Sequence, residues 1–363
     1  MRIVKVEHIE AGAYKIPTDG PEADGTLSWQ STELVVVQAQ GAGESGLGYS
    51  YCHASAAKLI ESLLAEVVQG RDAMNVAGAT EAMIRAIRNE GRRGIGAMAI
   101  SAVDTALWDL KARLLGLSLC RLLGAVREQI PLYGSGGFTS YSAERLQAQL
   151  ADWSRQGFGQ VKMKVGSHPA DDPERVRLAR EAIGPDTKLF VDANGAYSRK
   201  QALALAETFA AEDVSWFEEP VSSDDLEGLR LMRNRGPVGM DIAAGEYGYD
   251  PYYFRHMLQA GAVDVLQVDG TRCGGVSGAL QAGLLCQSYG IPLSAHCAPS
   301  LHAHICCALP MARHVEYFHD HVRIEHQLFE GALDPVNGCL KPDLDRPGLG
   351  LRLNEGEARR FAV

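Results

Sequence analysis

The chain has 363 residues, 46% hydrophobic and 22% charged, which excludes a disordered or fibrous protein and fits two domains or one large barrel with an appendage. A net charge of −10 argues against nucleic acid and anionic membranes as partners, because phosphate is held by Lys and Arg. No secretory leader and no membrane-length apolar run is visible, and the eight cysteines form no Cys-x-x-Cys pair; the expectation is a cytoplasmic protein with free thiols.

Residues 1–50 read as antiparallel strands. Met1–His8 alternates polar and apolar, Glu33–Gln40 (ELVVVQAQ) is a strong β run, and Gly46–Tyr51 follows a glycine-rich turn. Pro17–Gln30 between the first two runs reads as a polar loop. From Ala54 the pattern turns helical, with Ala56, Ile60, Leu63, Leu64 and Val67 on one stripe, and Ala97–Leu117 is the strongest helix of this half. Strands followed by helices predict an α+β domain over residues 1–125.

After Ile130 the rhythm changes. Short apolar runs appear at Ile130–Tyr133, Gln160–Val165, Lys188–Val191, Val214–Phe217, Val238–Ala243, Val263–Val268, Ile291–Ser294 and Val315–Tyr317. Helical stretches lie between them: Ala143–Gln156, Asp172–Ile183, Arg199–Ala211, Asp225–Asn234, Asp250–Ala260 and Gly275–Tyr289. Strict alternation implies parallel strands, and about eight units imply a closed (β/α) barrel over residues 126–322. From about Arg323 the rhythm is lost, and residues 323–363 are expected to pack back on the first domain.

In such a barrel the chemistry sits at the C-terminal ends of the strands. Those ends carry Lys162 and Lys164 (VKMKVG), Asp192 and Asn194 (VDANG), Glu218 and Glu219 (WFEEP), Glu246 (AAGEY), Asp269 (LQVDGTRCGG), His296 (PLSAHC) and Glu316 (RHVEYF). Each step matches one βα unit, so the groups converge on one mouth. Three carboxylates on adjacent strands, Asp192, Glu218 and Glu246, would repel one another without a counter-ion, and hard oxygen ligands suit Mg²⁺. Lys162 and Lys164, two residues apart on a strand, face the same side, and Lys162 would lower the pKa of Lys164 and help it act as a base. One strand from His296, Asp269 could hold the imidazole in one tautomer. A metal flanked by two bases suits removal of the weakly acidic proton next to a carboxylate, through an enediolate. Glu316, if protonated by its acidic neighbours, would donate a hydrogen bond to the substrate carboxylate.

The set K-M-K, D-A-N, E-E-P, G-E, D, H and E, at these spacings, resembles the enolase superfamily, mandelate racemase subgroup. Ala99–Lys111 (AISAVDTALWDLK) is similar to that family's capping-domain helix motif. The resemblance implies a modified TIM barrel of (β/α)7β type. It also implies an α+β capping domain completed by the C-terminal tail. It implies one Mg²⁺ per subunit on Asp192, Glu218 and Glu246, with Lys164 and His296 as opposed acid/base groups and Asp269 as the partner of His296. Glu316 becomes the electrophilic donor. Lys162 tunes Lys164 and touches the substrate carboxylate, and Asn194 contacts the substrate. Glu219 would support the ligands rather than bind metal. The family implies a homo-oligomer, commonly a dimer-based octamer.

Other signals read more plainly. Gly41-x-Gly43-x-x-Gly46 matches a dinucleotide fingerprint, yet it leads into another strand and reads as a hairpin turn. The pairs His302/His304 and His319/His321 come too late in the barrel for a zinc hydrolase. Cys297 reads as a packed thiol. The polar stretch Thr18–Gln30 (TDGPEADGTLSWQ) and Tyr49–His53 (YSYCH) suit a polyhydroxylated substrate, with Thr18 and Tyr51 as contacts. The expected reaction is dehydration of an aldonic or aldaric acid to a 2-keto-3-deoxy acid. A racemase or epimerase of a 2-hydroxy acid, a cycloisomerase, and a non-catalytic binding protein on the same fold remain open.

Overall fold

The computed structural model describes residues 3–363. Three antiparallel strands come first, β1 (His8–Ala23), β2 (Ser28–Gly41) and β3 (Glu44–Ser50), in the order β1-β2-β3. Two segments of this region fold otherwise than their sequence pattern predicts. Between Ile3 and His8, Val6 is buried, but the Val6 N–H donates to the Arg71 carbonyl, the Gly70 N–H to the Val6 carbonyl and the Ala73 N–H to the Val4 carbonyl, so this segment pairs with the turn at residues 70–73 and no ladder strand forms. The polar stretch read as a loop is mostly strand: β1 and β2 extend it into the arms of one long hairpin. Pro17 is tolerated because β1 is an edge strand, and the register shifts between Pro17 and Glu22.

The tip of that hairpin is built by Asp24, whose Oδ1 accepts the Thr26 and Leu27 N–H groups at 2.6 and 2.7 Å. Between β2 and β3 the turn residues Ala42 and Gly43 have φ of 50° and 84°, the two left-handed positions of a two-residue hairpin, so the glycine fingerprint is a turn.

Short helices follow: α1 (Ser55–Leu59), running through a π turn at Ile60–Leu64 into α2 (Ala65–Val68), then α3 (Val76–Ala86), α4 (Ile95–Leu114) and α5 (Leu119–Leu122). The long, alanine-rich α4 lies across β2 and β3 and buries Ala99, Ala102, Val103 and Ala106. It also carries two buried carboxylates. Asp104 accepts Thr80 Oγ1, Ser277 Oγ and the Ser277 N–H, which ties the first domain to a barrel helix. Asp109 accepts the Leu47 N–H and pairs with Arg113.

The barrel strands are β4 (Ile130–Gly136), β5 (Gln160–Lys164), β6 (Lys188–Asp192), β7 (Val214–Glu218), β8 (Asp241–Ala244), β9 (Val265–Val268), β10 (Leu293–Ala295) and β11 (Ala312–Phe318). The helices between them are α6 (Ala143–Arg155), α7 (Asp172–Ile183), α8 (Arg199–Ala210), α9 (Leu226–Arg235), α10 (Pro251–Gln259), α11 (Gly275–Tyr289) and α12 (Pro299–Ala308). All eight strands are parallel, and β11 pairs with β4, closing a (β/α)7β barrel. Val238, read as a strand start, is fully exposed, and β8 begins three residues later.

After α13 (His319–Leu328), the short strands β12 (Phe329–Glu330) and β14 (Arg352–Leu353) pair with each other, while β13 (Cys339–Leu340) adds antiparallel to β4. The tail returns to the first domain: the Val363 N–H donates to the Ala13 carbonyl, and Arg113 donates to the Leu351 carbonyl. Among the described residues no helix is long and apolar enough to cross a membrane.

Candidate active site

Parallel pairing places Lys164 opposite Asp192 and Asp192 opposite Glu218, so register alone brings a base candidate and two acids together. Asp192, Glu218 and Glu246 are buried and each offers an oxygen within 4.8 Å of the others. One oxygen of Glu246, Oε2, has no hydrogen-bond partner. Three converging hard oxygens, one of them unpaired, fit a divalent cation of the magnesium type.

The lysines neutralise these acids. Lys162 Nζ lies 2.6 Å from Glu218 Oε1, 2.8 Å from Glu316 Oε1 and 3.4 Å from Asp192 Oδ2. Lys164 Nζ lies 2.5 Å from Asp192 Oδ2 and donates to Asn194 Oδ1 at 3.1 Å. This corrects the expected tuning of Lys164. Burial, the largest effect, and the repulsion of Lys162 push its ammonium down, but the touching Asp192 carboxylate together with Glu246 and Glu218 outweighs them, and the net shift is upward. Asp192 moves the other way, to about 2: burial raises it, and Lys164 and Lys162 more than reverse that. Glu218 is pushed up to about 8, first by burial and then by Asp192.

Across the mouth, His296 Nδ1 donates to Asp269 Oδ2 at 2.9 Å. Asp269 Oδ1 is held by the Thr271 N–H and hydroxyl, both at 2.7 Å. That leaves Nε2 facing the site, 3.3 Å from Glu246 Oε2. Burial pushes the imidazole down, but Glu246, Asp269 and Glu316 raise it above its ordinary value.

Glu316 departs from expectation. Its Oε1 accepts Ser135 Oγ at 2.6 Å as well as Lys162, and its Oε2 accepts the Cys297 N–H at 3.0 Å. Burial would raise its pKa, yet Lys162 and His296 hold it well below the ordinary range. Its nearest groups are a cation and hydrogen-bond donors, which favour the carboxylate over the protonated donor that a crowd of acids alone would give.

Three residues with a place in the site were not singled out by sequence for a role in it. Arg272 donates to the Glu246 carbonyl at 3.1 Å, and its Nε lies 3.4 Å from Asp269 Oδ2. Ser135 holds Glu316. Cys297, read as a packed thiol, places Sγ 3.2 Å from His296 Nε2. The TRC of the sixth strand end was a signal for Arg272, since an arginine three residues after an acid can fold back on it. Glu219 is buried beside the ligand cluster, with one oxygen unpaired.

His302, His304 and His321 are held in packing contacts. His302 donates to the Cys297 carbonyl at 2.6 Å and accepts the Gly270 N–H at 2.8 Å, so it braces the ends of β9 and β10. His304 accepts the Cys120 N–H, and burial pushes its pKa down to about 4. His321 stacks on Tyr51 with ring centroids 3.4 Å apart, and the Tyr51 hydroxyl donates to the His321 carbonyl. Tyr51 therefore joins the first domain to the barrel. Thr18 is half-buried on the shifted part of β1, beside Asp19, which pairs with Arg145 and His319.

The hairpin tip closes over this mouth. The Asp24 carbonyl accepts Thr139 Oγ1 and Ser167 Oγ. Gly25 lies so close to the Val165 and Ala193 carbonyls that a Cβ there would overlap both. Four residues at the strand ends hold left-handed backbone without being glycine: Asn194 (φ 45°), Glu219 (38°), Cys297 (53°) and Ala298 (41°).

The chain matches two family domains. Residues 15–124 match the mandelate racemase/muconate lactonizing enzyme N-terminal domain, and residues 145–357 the enolase C-terminal domain-like family. L-talarate/galactarate dehydratase of Salmonella typhimurium is 31% identical over 98% of this chain and 91% of its own. 3,6-Anhydro-alpha-L-galactonate cycloisomerase of Streptomyces coelicolor is 30% identical over 99% of both. A solved mandelate racemase/muconate lactonizing enzyme-like protein from Rubrobacter xylanophilus superposes with a TM-score of 0.97 at 55% identity over 99% of both chains. A racemase from Streptomyces coelicolor, solved with bound magnesium, gives 0.93 at 29% identity over 99% of this chain and 100% of its own. Magnesium is thus the metal of this fold, and Asp192, Glu218 and Glu246 are the cluster that could hold it. The curated relatives are acid-sugar dehydratases and cycloisomerases, and this chain, an enzyme, belongs to the mandelate racemase/muconate lactonizing enzyme family of the enolase superfamily.

Proposed function

We propose that this enzyme dehydrates an aldonic or aldaric acid to a 2-keto-3-deoxy acid. The observation that carries the reading is the placement of Lys164 and His296. They stand at the C-terminal ends of β5 and β10, three strands apart one way round the barrel and five the other, with the acidic cluster between them. Two proton-transfer groups that flank one substrate serve both halves of a dehydration. One takes the Cα proton and the other protonates the departing β-hydroxyl, so that water leaves and the enol then tautomerises to the keto acid.

Asp192, Glu218 and Glu246 would hold the magnesium ion, which when bound supplies positive charge to the substrate carboxylate as negative charge develops there. Lys162, Asn194 and Glu316 line the same mouth and are assigned to the substrate. Asp269 fixes the His296 tautomer, leaving Nε2 to carry the proton. The hairpin carrying Thr18 closes the mouth with polar groups, which suits a hydroxylated chain better than an aryl one. The relatives named as dehydratases of sugar acids support this class. A homo-oligomer, as the family resemblance implies, is part of this reading.

The test is proton NMR in D₂O with Mg²⁺ and a panel of aldonic and aldaric acids. Growth of a deuterated 3-deoxy methylene establishes dehydration and names the acid. Exchange or inversion at Cα with no keto acid overturns it in favour of a racemase or epimerase, the second reading that opposed bases allow.

A further inference from the structure

Beside the magnesium cluster stands a second set of donors of different chemistry. His296 Nε2, Cys297 Sγ and Glu316 Oε2 form a triangle with edges of 3.2, 3.5 and 3.9 Å, and all three residues are buried. A tetrahedral ion with zinc-like bond lengths has donor–donor edges of about 3.3–3.6 Å. We propose that this triangle is a binding site for a thiophilic divalent cation, Zn²⁺ or Cd²⁺, distinct from the magnesium site, and that its occupation shuts the enzyme off.

Each donor is prepared for the role. The Nδ1–H of His296 is given to Asp269, the arrangement in which a carboxylate orients an imidazole and leaves the other nitrogen free for metal. Glu316 gives Oε1 to Lys162 and Ser135, so Oε2, held by the Cys297 N–H, turns toward the thiol. His302 holds the Cys297 carbonyl, which fixes the left-handed turn that aims Sγ at Nε2. Lys162 and Arg272 are the nearby cations, and each is already paired with carboxylate.

On binding, the metal bonds to Sγ, Nε2 and Glu316 Oε2, and the Sγ proton and any proton on Nε2 leave to solvent. Soft sulfur and imidazole select zinc or cadmium over magnesium, which the all-oxygen cluster prefers. Occupation ties up Nε2, the nitrogen assigned to proton transfer. Metal binding itself does not depend on which acid is turned over.

The experiment is a Cd²⁺ titration of the purified protein in saturating Mg²⁺, read by the ultraviolet thiolate-to-cadmium charge-transfer band and by equilibrium dialysis. One Cd²⁺ per chain with that band is expected. Cys297→Ser should lose the band and bind at least about tenfold more weakly, whereas Cys339→Ser, altering the most exposed of the other thiols, should keep both. His296→Asn, which leaves the thiol in place, should also weaken binding at least about tenfold, and it decides the matter if Cys297→Ser does not fold. A band that survives unchanged in Cys297→Ser, affinity unaffected by His296→Asn, or Cd²⁺ that Mg²⁺ simply displaces without a thiolate band would overturn the proposal.

Discussion

Arg272 lies against Glu246: its Nη1 is 3.1 Å from the Glu246 carbonyl and 3.4 Å from Oε1, while its Nε is 3.4 Å from Asp269 Oδ2. One guanidinium thus ties a cluster carboxylate to the partner of His296. The two Nη1 contacts are charge-assisted hydrogen bonds, which contribute about 1.5–3 kcal/mol, and the Nε contact is an ion pair. Arg272→Met should therefore lower kcat by about 10- to 100-fold with an unchanged fold by circular dichroism. Arg272→Lys should recover only part of that loss, because an ammonium lacks the fork. Full activity in Arg272→Met would show that the contact orients nothing.

Lys164→Ala and His296→Asn should each lower turnover by about 10²–10⁴-fold, the usual contribution of a positioned proton-transfer group. Asp269→Asn should also be impaired, since an amide does not enforce the Nδ1–H tautomer. Deuterium incorporation at Cα should fail in one single variant and persist in the other, which identifies the base. If neither single variant slows turnover, the two-base assignment is wrong.

Chelation should abolish turnover, and added Mg²⁺ should restore it. Because the ion would bind the folded chain alone, Mg²⁺ at 100 times its Kd should stabilise that chain by about 2.7 kcal/mol. Asp192→Asn should lose most of that thermal shift, as read by calorimetry with and without Mg²⁺.

Glu22 gives a pH prediction away from the chemistry. One of its oxygens accepts Trp29 Nε1 at 2.8 Å and the other is buried without a partner. Burial, then Asp320, pushes its pKa from an ordinary 4.5 up to about 8. The folded chain holds this proton more tightly than the unfolded one. The stabilisation is full below pH 4.5 and is lost as pH rises through about 8. Glu22→Gln, which cannot ionise, should gain melting temperature relative to the native chain between those limits. A difference that stays constant with pH, measured by thermal melts, would place the Glu22 pKa near its ordinary value.

The barrel was legible because its period is enforced by parallel pairing: each strand from β4 to β11 lies on or within a few residues of an apolar run, and each candidate acid or base sits at a strand end. What hid were polar residues that are not solvated. Sequence polarity made Pro17–Gln30 a loop, whereas an edge strand keeps polar side chains on its open side. Asp104 belonged to a recognisable motif, yet its task of gripping the start of α11 involves partners up to 173 positions away. Glu316 was misjudged for the same reason. Its acidic neighbours were visible, but the closeness of Lys162 and of the Cys297 N–H depends on β11 closing against β4. Arg272 and Cys297 lay beside residues already singled out, and only side-chain direction separates a bystander from a contact.

The left-handed backbone at Asn194, Glu219, Cys297 and Ala298 bears on how this protein would adapt to heat. A non-glycine residue in that conformation costs roughly 1–2 kcal/mol. A lineage under selection for thermal endurance would therefore find a gain close at hand in Ala298→Gly, which removes no side-chain contact beyond a methyl group. The same exchange would loosen the turn that aims His296 and Cys297. Endurance and catalytic sharpness would then pull on one peptide unit, and the alanine now there marks where that contest stands.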